Sequence, residues 1–385
     1  MIQVRVTARG AERWTRGHPW IYRSDVQDQA SEAPGIVRVQ DAHGRFIGQA
    51  LYSPTSEIRL RLIERTDRPV DAGWWREKLA ACRDRRTGID ATACRVVHGE
   101  GDGLPSLILD RYDRWVVAQL LSAGLETMRE PMLAALRELF APEGILLRHD
   151  TAARRREGLP TEPELVHGTV PREIEVREGS IRYLAAPWDG QKTGAFLDQR
   201  PNRLLAGRLA RPGGRALDCF AYHGSFALHL AARSATVLAL DVSREALQRG
   251  AVNAALNGME NIEWREGDAF ETLRALARAH ERFDTIVLDP PAFAKSRAAV
   301  PGALRGYHEI NLRAMRCLAP GGSLLTASCS FHVRLPAFLA MLADAAADSG
   351  RSIVLRHVLV QAEDHPEVLT IPETGYLKAA VLEAR

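Results

Sequence analysis

The sequence predicts an α/β protein in three parts: a small β barrel over 1–70, an α+β module over 71–180 and a doubly wound parallel sheet over 181–385. Three observations carry this prediction. Apolar and polar positions alternate between close-set turn signals near the start. Strands then mix with amphipathic helices. After Gly190 short apolar strands alternate regularly with helical stretches, the order that builds a parallel sheet with helices on both faces.

In the first part the alternating stretches are Val4–Val6, Ile36–Val39 and Ile58–Ile63, set between turns such as Gly17-His18-Pro19, Pro34-Gly35 and Ser53-Pro54. Trp14, Trp20 and Tyr22 sit among Arg9, Arg13, Arg16 and Arg23, a mixture that stacks on bases and holds phosphates. Buried aromatics with a solvated arginine rim explain it equally well. In the second part, 71–86 and 128–140 have helical spacing, and 94–97, 107–109, 115–121 and 145–147 read as strands. The triplet Arg154-Arg155-Arg156 reads as a solvated helix face, with a phosphate contact as the sharper alternative. In the third part the expected strands are 215–219, 237–241, 262–265, 285–288 and 322–327.

The 385 residues are 46% apolar and 26% charged, as in ordinary globular proteins. No apolar run is long enough to span a bilayer, and the opening MIQVRVTARG has no signal-peptide core, so a cytoplasmic protein without membrane attachment is expected. The five cysteines lack paired spacing and support neither a disulfide framework nor a metal site. The formal net charge of +3 shows no broad basic field, although a local strip is enough for RNA. Only four of the 51 basic residues are lysines: Lys78, Lys192, Lys295 and Lys378.

Ligands of such sheets bind beyond the carboxyl ends of the strands. There the sequence places Asp218 with the turn through Phe220, Tyr222 and Gly224, then Asp241 with Val242 and Ser243, then Asp268 with Ala269, and last Asp289 with Pro290, Pro291 and Phe293. There is no GxGxxG, and the first turn carries a carboxylate, which disfavours a pyrophosphate. A cofactor with an amine, a sulfonium and a ribose diol fits better, which points to S-adenosyl-L-methionine. Asp241 is expected to take the ribose hydroxyls and Asp268 with Ala269 the adenine, while Asp218 and Gly224 bracket the methionine part. Asp289 is expected to face both cofactor and substrate, with Pro290 and Pro291 aiming it at a base amine and Phe293 stacking on that base.

Cys329, within Ser328-Cys329-Ser330, is a candidate nucleophile. Cytosine C5 attacks a methyl sulfonium only after a thiolate has added at C6. Cys329 is equally readable as a small buried hydrophobe.

The whole chain resembles the ribosomal RNA large subunit methyltransferase I family. The resemblance rests on His18-Pro19-Trp20, Ser53-Pro54 and the run from Gly99 to Pro105. It continues through Lys192-Thr193-Gly194, Phe196-Leu197-Asp198-Gln199-Arg200, Asp289-Pro290-Pro291 and Ser328-Cys329-Ser330, and ends with Asp364-His365-Pro366 and Tyr376-Leu377-Lys378. It implies a PUA-like RNA-binding domain, a middle α+β domain and a Rossmann-like class I methyltransferase domain that makes 5-methylcytosine in 23S rRNA. It also implies Cys329 as the nucleophile, with Phe196, Gln199 and Arg200 beside the cofactor and Lys192 beside the substrate. Many RNA cytosine-C5 methyltransferases carry a second Cys after the strand-four Asp; Asp289-Pro290-Pro291-Ala292 has none, so the base that takes the C5 proton is unassigned. Methylation at a nitrogen such as guanine N7, or an inactive RNA-binding factor, are the competing readings. A homodimer that pools its RNA contacts suits the moderate charge.

Overall fold

The structure, a computed structural model, describes residues 2–27 and 32–385. The chain forms two compact units. One comprises the chain up to Val176 with Ala185–Leu197 and Glu363–Gly375; the other comprises Arg177–Leu184, Asp198–Ala362 and Tyr376–Arg385.

The first unit holds two five-stranded sheets. One has the spatial order Ile2–Arg5, Gly35–Gln40, Phe46–Tyr52, Ile58–Glu64, Trp20–Tyr22, and a bridge between Val6 and Val26 joins its two edges. Its core includes Val4, Trp14, Ile21, Val37 and Leu60. The sequence pattern did not announce the helix Ala8–Thr15, which Thr7 caps by accepting the Gly10 N–H. That helix buries only Gly10 and Trp14, too few positions to set up a period. Trp14 is therefore core rather than a stacking platform, and its indole N–H donates to the Pro19 carbonyl at 3.1 Å.

The second sheet runs Glu164–Gly168, Gly144–Leu147, Trp115–Leu120, Leu107–Tyr112, Ala93–His98. Trp74, Trp75 and Leu79 of helix Ala72–Asp84, with Met132, Leu133 and Leu136 of helix Arg129–Phe140, share one core with its strands. The arginine triplet departs from expectation at Arg154. That side chain is buried, and it donates to the carbonyls of Leu120 and Pro160 and to Glu126. It ties together backbone carbonyls and a carboxylate from segments far apart in sequence, a structural task for a fork of donors. Two returning segments belong to this unit. Thr193 and Arg95 both hold the buried Asp110, which fixes Ala185–Leu197, and Asp364 accepts the Arg95 backbone N–H at 3.0 Å, which fixes Glu363–Gly375.

In the second unit the strands are β1 (Arg215–Cys219), β2 (Thr236–Asp241), β3 (Ile262–Glu266), β4 (Phe283–Leu288), β5 (Leu318–Ser328), β6 (Ile353–Val360) and β7 (Lys378–Ala384). They form one sheet in the order β3-β2-β1-β4-β5-β7-β6. β1 to β5 are parallel, as the strand–helix alternation requires, and β7 runs antiparallel between β5 and β6. No crossover helix separates β6 from β7, so an antiparallel pairing is the accessible one. One apolar layer centres on Leu288, Tyr307 and Phe338, and another on Ala227, Leu230 and Val287. Among the described residues no helix is long and apolar enough to cross a membrane.

Beneath the start of this unit, Arg203 forks onto the Glu178 carboxylate (2.8 and 2.5 Å), and His229 reaches the same group at 3.0 Å. Burial works against the Glu178 charge, but Arg203 and His229 overcome it and pull its pKa down to about 2. Its stabilising contribution is therefore complete above the unfolded carboxyl's pKa and is lost as pH falls through the folded one. We expect Glu178→Ala to lower the urea-unfolding free energy by about 3–5 kcal/mol at neutral pH, because it strands a buried guanidinium. The wild-type chain should lose stability as pH drops from about 4.5 toward 2, and the variant should lose less.

Candidate active site

The chain leaves β1 for β2 and β3 on one side of the sheet, then returns to β4 on the other. Between β1 and β4 the connections diverge, and a crevice opens at the strands' carboxyl ends. The register aligns those ends, with Cys219 opposite both Leu240 and Leu288, and Asp241 opposite Glu266.

The turn after β1 is sharply constrained. Phe220 (φ 66°), Tyr222 (φ 50°) and Gly224 (φ 82°) all adopt the left-handed region, which side chains other than glycine's disfavour. At Gly224 a Cβ would also come within 2.3 Å of the Trp264 ring. Asp241 ties the turn down by accepting the Tyr222 N–H at 2.8 Å, and its other oxygen accepts the Ser243 N–H at 2.9 Å. Beside it Val242 is 68% exposed, an apolar surface waiting for a cover. Asp268 caps the helix Ala269–Arg278 through the Glu271 N–H and stays exposed, whereas Ala269 is buried.

Asp218 lies deeper, fully buried, and neither oxygen finds a hydrogen-bond donor. Burial, followed by the charges of Asp289 and Asp241, raises its carboxyl well above the usual range, and the nearby Ala227 N–H only partly opposes this. Three acidic groups thus converge on one crevice, a field that suits a cationic ligand. The donor set fits a sulfonium and an amine better than a phosphate.

On the substrate side, Gln199 donates to Asp289 at 2.8 Å and is itself held by Asn202 at 2.6 Å. Arg200 opens the helix Arg200–Leu209 and is buried. Pro290 is buried, Pro291 exposed, and Cys329 Sγ lies 3.9 Å from the Pro290 carbonyl oxygen. β4 and β5 are neighbours with Leu288 opposite Thr326, so the two motifs that follow them must meet. Phe293 packs on Tyr307 (centroids 4.6 Å apart) and faces Phe270 at 5.9 Å. Lys192 and Phe196 belong to the first unit, where Lys192 Nζ sits 4.8 Å over the Phe196 ring.

Local reading missed several groups. Ser330 accepts the Ala294 N–H at 3.1 Å and bonds the Tyr307 hydroxyl at 2.9 Å, which pins the loop after Asp289. Lys378 places its buried amine on the carbonyl oxygens of Ser330 and Tyr376. Tyr376-Leu377-Lys378 stood out as a motif, but only the sheet brings it beside Cys329.

The PUA-like domain family matches residues 4–65, and the S-adenosylmethionine-dependent methyltransferase family matches residues 126–383. A ribosomal RNA large subunit methyltransferase I from Aeromonas hydrophila is 38% identical over 382 residues, 96% of each chain. Its counterpart from Shewanella amazonensis is 38% identical over 377 residues, 95% of each chain. Among solved structures, a putative methyltransferase from Streptococcus mutans superposes with a TM-score of 0.83 over 100% of both chains at 19% identity, a likeness of fold.

Gly224→Ala should weaken S-adenosylmethionine binding at least about tenfold in calorimetry, because the new Cβ forces Trp264 and the turn apart and the left-handed φ adds strain. Unchanged affinity would show that the cofactor does not depend on this turn.

Proposed function

The chain belongs to the S-adenosylmethionine-dependent methyltransferases, within the ribosomal RNA large subunit methyltransferase I family, and from that premise we propose that it methylates C5 of a cytosine in 23S rRNA in the cytoplasm. The observation that carries the reading is the meeting of Cys329 with the Asp289-Pro290-Pro291 turn, Sγ 3.9 Å from the Pro290 carbonyl oxygen. The relatives' names supply the RNA class, and the match of 4–65 to a PUA-like domain supports an RNA contact; a homodimer that pools such contacts is part of the same proposal.

S-adenosylmethionine, when bound, supplies an electrophilic methyl group. On its side Asp241 takes the ribose hydroxyls, and Val242, Ser243, Asp268 and Ala269 receive the adenine. Phe220, Tyr222 and Gly224 shape the turn around the methionine part, over the buried Asp218. Gln199 supports the pocket through Asp289, while the resemblance alone assigns Arg200 and Phe196 to the cofactor and Lys192 to the RNA. On the substrate side the target base is flipped into the crevice. Asp289, oriented by Gln199, bonds the N3/N4 edge, and Phe293, braced on Tyr307, stacks on the ring.

The Cys329 thiolate adds to C6, and the ring's electron pair moves to C5; C5 then takes the methyl group, the sulfonium's S–methyl bond breaking so that its electron pair stays on sulfur and a neutral thioether is left. Loss of the C5 proton then returns the pair and expels the thiolate, regenerating Cys329. Cys329→Ala should abolish methyl transfer while S-adenosylmethionine binds with near-normal affinity. Full activity in this variant would overturn the covalent route and leave nitrogen methylation at Asp289-Pro290-Pro291; mass analysis of nucleosides from the modified RNA identifies the methylated atom.

A further inference from the structure

A thiol that adds to cytosine has to ionise near neutral pH, and an ordinary cysteine has a pKa near ~8.5. Positive charge beside it is one physical remedy. The sheet supplies a candidate. β5 and β7 pair with Ser328 opposite Lys378, so the residue after Ser328 emerges beside the start of β7. Cys329 packs there against the cluster of Ala327, Leu377 and Ala379, and Tyr376 packs against the same cluster.

Lys378 is only 6% exposed, which is unusual for a lysine without a carboxylate on its amine. Its Nζ donates to the Ser330 carbonyl oxygen at 2.5 Å and to the Tyr376 carbonyl oxygen at 3.0 Å. An ammonium has three protons. Two go to carbonyls that fix the group in place, and the third remains for an anion formed next to it.

We propose that Lys378 is the positioning residue for the Cys329 thiolate: its ammonium, clamped by the Ser330 and Tyr376 carbonyls, supplies the charge that keeps the sulfur ionised and aimed at the crevice. This rests on Cys329 being the nucleophile. The Cys329 proton passes to solvent, Lys378 keeps its own protons, and the sulfur's electron pair forms the bond to C6. Burial and, less, Arg334 lower the Lys378 pKa while Cys329 pulls it upward, which leaves it at about 8, so the ammonium persists at neutral pH. Ionisable groups near this corner also include Tyr307, whose hydroxyl burial holds above its usual range, Tyr376, whose hydroxyl donates to Asp198 at 2.6 Å, and Asp289, which precedes the carbonyl near the sulfur.

Alkylation of Cys329 by iodoacetamide in the whole chain, followed by peptide mass spectrometry as a function of pH, tests this without RNA. The wild-type midpoint should fall below ~8.5. Lys378→Met should raise it by about one unit and slow alkylation at neutral pH about tenfold, whereas Lys378→Arg should keep it low. A wild-type midpoint at or above the ordinary thiol value, or one that Lys378→Met leaves unmoved, would overturn the proposal. The wild-type measurement stands even if the methionine variant fails to fold. Retained methyl transfer in Cys329→Ala would sink the covalent reading instead, and would leave the thiol's midpoint where it was.

Discussion

Three carboxyl groups, Asp218, Asp241 and Asp289, meet at the carboxyl ends of β1, β2 and β4, and their mutual repulsion is the constraint around which the site is arranged. Each is handled differently. Asp241 accepts two backbone N–H groups, and Asp289 is oriented by the Gln199 amide. Asp218 has neither, so burial drives it toward the protonated form. Carboxyl groups gathered in this way attract a cation, which matches the charge of the cofactor the family uses.

The same edge of the sheet builds the opposite polarity a few residues away. β7 is inserted antiparallel between β5 and β6, and that register sets Lys378 beside the Ser328-Cys329-Ser330 segment. The acidic half suits a sulfonium, and the basic corner suits a thiolate. Ser330 links the two halves, since one hydroxyl holds the loop after Asp289 and the Tyr307 side chain under Phe293. The loop after Asp289 and the Phe293 ring thus rest on a packed layer.

Much of this was legible beforehand. The five parallel strands followed from alternation, and the acids at their ends followed from the strand limits, so Asp218, Asp241, Asp268 and Asp289 could be named together. The helix Ala8–Thr15 escaped because it buries too few residues to leave a period. The burial of Arg154 escaped because a run of arginines looks solvated until carbonyl and carboxylate partners distant in sequence are known. The burial of Asp218 and the packing of Phe293 on Tyr307 were likewise invisible, since both depend on neighbours from other strands and helices.

The sequence by itself determined the α/β architecture and the order of the acidic strand ends, because periodicity and turn chemistry are local properties of the chain. Tertiary structure alone decided which of these groups touch. Gln199 reaches Asp289 across 90 residues of sequence and Lys378 reaches the Ser330 carbonyl across 48, distances that no local pattern encodes. Only strand order and register close them, and both are set by how the helices bury the two faces of the sheet.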